Sequence, residues 1–125
     1  YKRQFHDPKA PQPPRAAPKD GGLRMKLEVD DARALYQRAI ALEPDFFEAH
    51  FNLANIHHDL GQYEAAQASY REALRLNPHY PDGHFYLAVT LEKMGLSAEA
   101  RPHWRAYQSL APMGEWVALA KEFSD

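Results

Sequence analysis

A repeat of 34 residues constrains the fold of this 125-residue chain more than any other feature of its sequence. Each unit contains a segment that opens on alanine, carries an aromatic residue four positions later and closes on proline. The three segments are "ARALYQRAIALEP" (32–44), "AQASYREALRLNP" (66–78) and "ARPHWRAYQSLAP" (100–112). A fixed period of this length is typical of helix pairs that stack on their neighbours, and not of a single globular core.

A second motif recurs at the same period ahead of two of these segments. "AHFNLANIHHDLG" (49–61) aligns with "GHFYLAVTLEKMG" (83–95), and both end on a glycine of the kind that stops a helix and turns the chain. The small residues let helix backbones approach closely, and the aromatic residues fill the space between successive pairs. We expect the structural core to consist of these recurring residues, namely Leu53, Ala54, Ala66, Tyr70, Leu87, Ala88, Ala100 and Trp104.

The two ends of the chain depart from the repeat. Prolines recur through residues 1–22, which should form a basic, extended, polyproline-like arm closed by Gly21 and Gly22. Pro18 and these glycines should forbid the full first helix of the earliest repeat. "GEWVALAKEF" near the C-terminus has apolar residues at helical spacing and predicts a capping helix. The expected division is an arm at 1–22, a partial repeat at 23–46, full repeats at 47–80 and 81–114, and a capping helix at 115–125.

Composition argues against several classes of function for this segment. A formal net charge of −2 disfavours nucleic acid and anionic membranes as partners. The absence of cysteine rules out disulfides and thiolate metal sites, and no apolar run approaches the roughly 18 residues needed to cross a bilayer. We expect a cytoplasmic location. Because the sequence begins with Tyr1 and not with methionine, we read it as a fragment or processed product of a longer protein.

From residue 23 onward, the combined motifs resemble the tetratricopeptide repeat (TPR) family. The 34-residue period, the Leu-Ala pair, the turn glycine, the alanine-to-aromatic step and the closing proline occur together. The resemblance implies an all-α TPR helix-turn-helix solenoid with two full repeats, a leading partial repeat and a C-terminal capping helix. It also implies a non-enzymatic binding module, because such arrays are general scaffolds for protein partners.

The first helix of each pair lines a concave groove in this family. Seven residues that match by position are expected to contact a bound peptide, namely Phe51, Asn52, Asn55, His58, Phe85, Tyr86 and Val89, in a wider lining with Glu48, Asp59, Asp82, Glu92 and Lys93. Of these, Phe51, Asn52, Asn55, Phe85 and Tyr86 should be dispensable for the helix-to-helix core. Relatives that clamp a terminal carboxylate have lysine where this chain has Phe51, so a carboxylate clamp is not expected. Asn52 resembles the asparagine ladder that grips peptide main chain in TPR arrays of O-linked sugar transferases, and Tyr86 interrupts that ladder.

Seven histidines raise the question of metal or catalytic chemistry. His57 and His58 lie about 100° apart around a helix, so they cannot readily hold one ion together. His57, like His50 and His84, occupies a slot that the family fills with a large packed side chain, which favours a packing role with a hydrogen-bonded ring edge. No HExxH spacing, nucleophile motif or Gly-rich phosphate loop occurs. We expect no catalytic residue, no cofactor and no metal ion.

The leading hypothesis is a protein–protein interaction module that binds a peptide segment or partner protein in its groove. The alternative is a regulatory or oligomerisation domain of a larger bacterial protein, because the run from 100 to 123 resembles the end of bacterial TPR proteins, some with an upstream MerR-type helix-turn-helix. A histidine-based metal site is the third and weakest alternative. Homo-oligomers could form through the arm or the first helix, where Ala32, Tyr36 and Ala39 lack their usual partner helix.

Overall fold

The computed structural model describes the backbone of residues 21–124 and the side chains of residues 28–124. Within this range no strand occurs. Six helices follow one another: α1 (Gly21–Leu42), α2 (Phe47–Asp59), α3 (Tyr63–Leu76), α4 (Pro81–Lys93), α5 (Ser97–Leu110) and α6 (Val117–Ser124). None of these helices combines the length and the apolar character that crossing a bilayer requires.

The N-terminal boundary differs from the expected one. Residues 1–20 of the expected arm lie outside the described residues, and Gly21 and Gly22 form the first two residues of α1. Helix α1 therefore begins two residues before the expected start of the partial repeat at residue 23, and it includes both glycines. A glycine costs a helix only about 1 kcal/mol relative to alanine, and a helix of 22 residues can absorb that cost.

Two helix pairs form the full repeats, α2 with α3 and α4 with α5. Each pair turns at a glycine, Gly61 or Gly95, whose φ is 76°. In the first turn the N–H of Gly61 donates to the carbonyl of His58 at 2.9 Å, and the N–H of Gln62 donates to the carbonyl of His57 at 2.8 Å. The second turn repeats this pattern, so the recurring glycine ends each helix and satisfies its last carbonyls.

The hydrophobic core runs through both pairs and centres on α4. Residues from Phe85 to Glu92 are buried without interruption, so this stretch of α4 has no broadly exposed face. The eight residues expected in the core are all buried, with 8% of Leu53 exposed and none of the other seven. Burial of each large apolar side chain contributes about 1.5–3 kcal/mol, which makes α4 the helix on which the array depends most.

The two outer helices are covered to different extents. In α1, Ala32 and Tyr36 are half-buried, whereas the equivalent Ala66 and Tyr70 in α3 have no exposed surface. The apolar face of α1 is therefore less completely covered than the equivalent face of α3. At the other end, Trp116 stacks on Phe85 just before α6 begins, so the C-terminal segment caps the core.

Candidate functional site

A polar cavity of about 100 Å³ lies between α2 and α4. Its walls are Asn55, His58 and Asp59 from α2 and Tyr86 from α4. His58 and Asp59 follow Asn55 by three and four positions, so both side chains neighbour that of Asn55 on the helix surface. Asp59 is exposed and Asn55 half-buried, whereas His58 and Tyr86 are buried. Helical spacing therefore brings an amide, an imidazole and a carboxylate to one opening.

His58 is fixed by a buried hydrogen bond between the two helices. Its Nδ1 atom lies 3.0 Å from Oγ1 of Thr90. The Thr90 hydroxyl has one proton, which it donates to the carbonyl of Tyr86 at 2.8 Å. Thr90 Oγ1 therefore accepts from His58 Nδ1–H. The bond satisfies a buried hydroxyl and ties α2 to α4.

Asn55 is held from the opposite side by α3. The hydroxyl of Tyr70 donates to Oδ1 of Asn55, and Tyr70 has no exposed surface. Because its carbonyl oxygen has this partner, the Asn55 amide has its two N–H donors to offer to a ligand carbonyl. The expectation that Asn55 is dispensable for packing is therefore wrong, since it satisfies a buried hydroxyl of the core.

The apolar residues expected in the groove belong mainly to the core. Phe85 and Val89 have no exposed surface, and Phe51 and Tyr86 are only 7% and 8% exposed. The Trp116 ring covers Phe85, with 4.1 Å between ring centroids and 13° between ring planes. The structure thus corrects the expectation that Phe85 and Val89 face an open groove. Phe51 and Tyr86 present only narrow edges, and their rings lie 5.6 Å apart.

The cavity brings together three of the seven expected groove residues, namely Asn55, His58 and Tyr86. Asn52 lies three residues before Asn55 on α2, is half-buried and is not among the cavity walls. Reasoning from sequence missed Thr90, which orients His58. The sequence offers one indication of this role. Thr90 follows Tyr86 by four residues, and at this spacing a threonine hydroxyl can donate to the backbone carbonyl one turn earlier in a helix.

Other histidines make contacts that support the scaffold. The Nε2 atoms of His50 and His84 donate to the carbonyl of the proline six residues earlier, at 2.9 and 2.8 Å. His57 donates through Nδ1 to Oε1 of Gln62 at 2.7 Å. Within residues 28–124, no three His, Asp or Glu side chains are grouped as a metal ion would require.

One histidine contact links the second helix pair internally. The Nδ1 atoms of His84 and His103 lie 3.0 Å apart, and their rings stack with centroids at 5.3 Å. Because His84 donates through Nε2, its Nδ1 accepts from His103 when both rings are neutral. Burial, together with the charges of His84 and Arg71, lowers the pKa of His103 to about 4.

Family comparisons identify the repeat in this chain. A family model described as TPR repeat matches residues 54–95, and one described as Tetratricopeptide repeat matches residues 35–68. A search of the curated protein sequences gave no match.

Several solved structures share the architecture. The Yersinia enterocolitica chaperone SycD in complex with a YopD peptide is 24% identical, with a TM-score of 0.68 over 82% of this chain and 79% of that one. The TPR2B domain of yeast Sti1, in a complex with pHsp70, is 17% identical, with a TM-score of 0.70 over 82% and 85%. MamA of AMB-1 is 28% identical, with a TM-score of 0.65 over 79% and 56%.

These similarities confirm the expected fold. The protein is an all-α TPR solenoid with two full repeats, a leading partial repeat and a C-terminal capping helix. The expected relation to proteins with an upstream MerR-type helix-turn-helix is not shown by any of these matches.

Proposed function

We propose that the protein is a non-enzymatic interaction module that binds an extended peptide segment of a partner protein across α2 and α4. The observation that carries this proposal is the cavity at Asn55, where an amide held by Tyr70 stands beside the exposed carboxylate of Asp59. The class of ligand is supported by two proteins of the same fold, SycD with a YopD peptide and Sti1 with pHsp70.

The asparagines suit a peptide main chain. An extended peptide offers a carbonyl and an N–H at every residue, and an amide side chain can donate to the first and accept from the second. Asn52 and Asn55 lie about one helical turn apart on α2 and can contact successive peptide groups. Because Tyr70 already orders Asn55, binding costs less side-chain entropy there.

Selection from a displayed library of random 12-residue peptides on the immobilised full chain tests this proposal. The affinity of selected peptides is then measured by calorimetry for the wild type and single variants. Asn52→Ala and Asn55→Ala should each weaken binding about fivefold, because each removes a hydrogen bond of about 1 kcal/mol. Gln37→Ala removes an exposed amide from α1 and serves as the matched control with unchanged affinity.

Stability must be followed in the same experiment. Asn55→Ala leaves the Tyr70 hydroxyl without its acceptor and should lower the free energy of unfolding by about 1–2 kcal/mol. Asn52→Ala should change it by less than about 0.5 kcal/mol. Circular dichroism at the assay temperature shows whether both are folded. Wild-type affinity in both folded variants would locate the binding surface outside α2.

Oligomerisation through α1 is a second candidate function. Leu35 is 62% exposed and Leu42 81% exposed. At seven residues apart they lie on one stripe of the helix, and such a stripe can pair with its copy around a twofold axis. One solved structure of SycD is described as an alternative dimer. Sedimentation should show a dimer for the wild type and a monomer for the double variant Leu35→Glu, Leu42→Glu; a monomeric wild type would exclude this candidate.

A further inference from the structure

The exposed side of α1 carries two leucines and two opposite charges along a single stripe. Asp31, Leu35, Arg38 and Leu42 follow one another at spacings of four, three and four residues, so their side chains lie within about 60° of one another around the helix. All four are exposed, and 62% of Leu35 and 81% of Leu42 are open to solvent. These four residues, the α1 stripe, combine an apolar surface with one charge of each sign.

The equivalent positions in the next two repeats do not form such a stripe. Position 35 corresponds to the polar residues Ser69 and His103, and position 42 corresponds to Leu76 and Leu110, which are half-buried. A single exposed leucine is common on protein surfaces. Here α1 differs from both equivalent helices in having leucine at the two positions and in leaving both exposed. This pattern is typical of a helix that pairs with another helix.

The two charged groups of the α1 stripe are available to a second molecule. On the same helix, Asp30 forms an ion pair with Arg33 at 3.2 Å. By contrast, Asp31 and Arg38 take part in no ion pair or side-chain hydrogen bond among residues 28–124. A carboxylate and a guanidinium on one stripe can therefore each contact an opposite charge outside the array.

The order of the charges makes the α1 stripe complementary to itself. Asp31 and Arg38 are about two helical turns apart, or roughly 10 Å along the axis, and Leu35 lies between them. When two copies cross in antiparallel directions about a twofold axis beside Leu35, Asp31 of each copy faces Arg38 of the other. In a parallel pair, each charge would face the same charge of the other copy. The charges therefore favour the antiparallel arrangement.

We infer that α1 pairs with α1 of a second copy in the antiparallel direction, with Leu35 at the twofold axis and reciprocal contacts between Asp31 and Arg38. This inference rests on oligomerisation through α1, the second candidate function, and specifies the orientation of the copies and the residues that select it. Apolar contact supplies the attraction, and the charges determine which arrangement is tolerated. Because the twofold axis repeats every contact, one substitution changes two contacts in each dimer.

Charge reversal in the full chain tests the direction of pairing. Asp31→Arg and Arg38→Asp each replace two attractive contacts with two repulsive ones, so each should raise the dimer dissociation constant at least about tenfold in sedimentation equilibrium. The double variant Asp31→Arg, Arg38→Asp restores opposite charges at both contacts. Its dissociation constant should lie within about threefold of the wild-type value.

A mixture of the two single variants provides a second measurement. One copy then has arginine at both positions and the other has aspartate at both, so every contact between unlike copies is attractive. An equimolar mixture should therefore form a heterodimer although neither variant dimerises well by itself. Circular dichroism at the assay temperature establishes that each variant is folded.

Glu115→Arg and Arg101→Asp are the matched controls. They make the same two changes of net charge at exposed residues outside the α1 stripe, in the loop before α6 and in α5. Each should change the dimer dissociation constant less than about twofold, because surface charges far from an interface are screened by salt.

The possible failures have different meanings. A monomeric wild type would exclude oligomerisation through α1, and this inference would fall with it. A wild-type dimer that both single reversals leave unchanged would preserve the candidate function and overturn the antiparallel pairing. Losses that neither the double variant nor the mixture recovers would also overturn the pairing, as would equal losses in the two controls.

Discussion

Trp116 stacks on Phe85 with ring centroids 4.1 Å apart and planes 13° apart, and this contact determines how much of the groove remains open. The loop before α6 is shaped by Tyr107, which replaces the alanine found at the equivalent Ala73. A Cβ atom at Gly114 would overlap the Tyr107 hydroxyl, so a larger residue there would have to displace the buried Tyr107 side chain. The apolar face of α4 is thus covered from within the chain, and the accessible part of the groove is polar.

Trp116→Ala should lower the free energy of unfolding by about 2–3 kcal/mol. The substitution removes a half-buried ring that covers Phe85, and truncation of a fully buried aromatic side chain costs about 3–5 kcal/mol. Urea denaturation followed by circular dichroism measures the change. Met113→Ala, at a side chain that is 95% exposed in the same loop, is the control and should shift stability by less than about 0.5 kcal/mol.

Ala66→Asp should unfold much of the array, whereas Ala65→Asp should leave it folded. Ala66 has no exposed surface, so the new carboxylate would be buried between helices without a partner. Its neighbour Ala65 is exposed in the first turn of α3, where a negative charge is favourable. Circular dichroism spectra and melting curves compare the two. Similar melting temperatures would contradict the assigned register of α3.

The core could be predicted from the sequence because the same residue types recur at its positions every 34 residues. Alanine and an aromatic recur 34 residues apart at Ala66 and Tyr70 and again at Ala100 and Trp104, and repetition of a packing slot repeats its burial. The turn at Gly61 could be predicted for the same reason. These features depend on local helix geometry and on nearest-neighbour packing, which a periodic sequence specifies directly.

The details of the groove could not be predicted in this way. Phe85 is buried because the Trp116 ring stacks on it. Trp116 belongs to the C-terminal segment, which is out of register with the repeat. The position of this segment depends instead on the close approach of Gly114 to Tyr107. The His84–His103 contact joins residues 19 apart in two helices, and no spacing rule connects them. Such contacts depend on how side chains pack in three dimensions, and the 34-residue pattern does not predict them.

Gly95→Ala should lower the free energy of unfolding by about 1 kcal/mol, and Gly95→Asn by less. At φ 76° a side chain is strained, but a Cβ atom at Gly95 would meet no atom within 4 Å, so the cost is conformational and not steric. Asparagine tolerates this conformation better than alanine. Gly61 has the same φ and the same open space, so Gly61→Ala should give a matching loss in urea denaturation. Unequal losses would show that the two turns are not equivalent.

Acidification should destabilise the protein through His103. Its pKa is about 4 in the folded state, against about 6.5 in an unfolded chain, so the unfolded state takes up the proton first as the pH falls. The stabilising contribution of neutral His103 is complete above about pH 6.5 and is lost progressively as the pH falls toward 4. Because the ring is partly open to solvent, we expect a loss of about 1–2 kcal/mol in the free energy of unfolding.

His103→Gln, which cannot titrate but can still donate to His84, should lack this pH-dependent loss. His79→Gln, at an exposed histidine, should retain it. Urea denaturation at pH 7.5 and 4.5 measures the difference between variants, and proton NMR should place the His103 midpoint near 4. A midpoint near 6.5, or equal pH dependence in all three proteins, would contradict the buried pairing with His84.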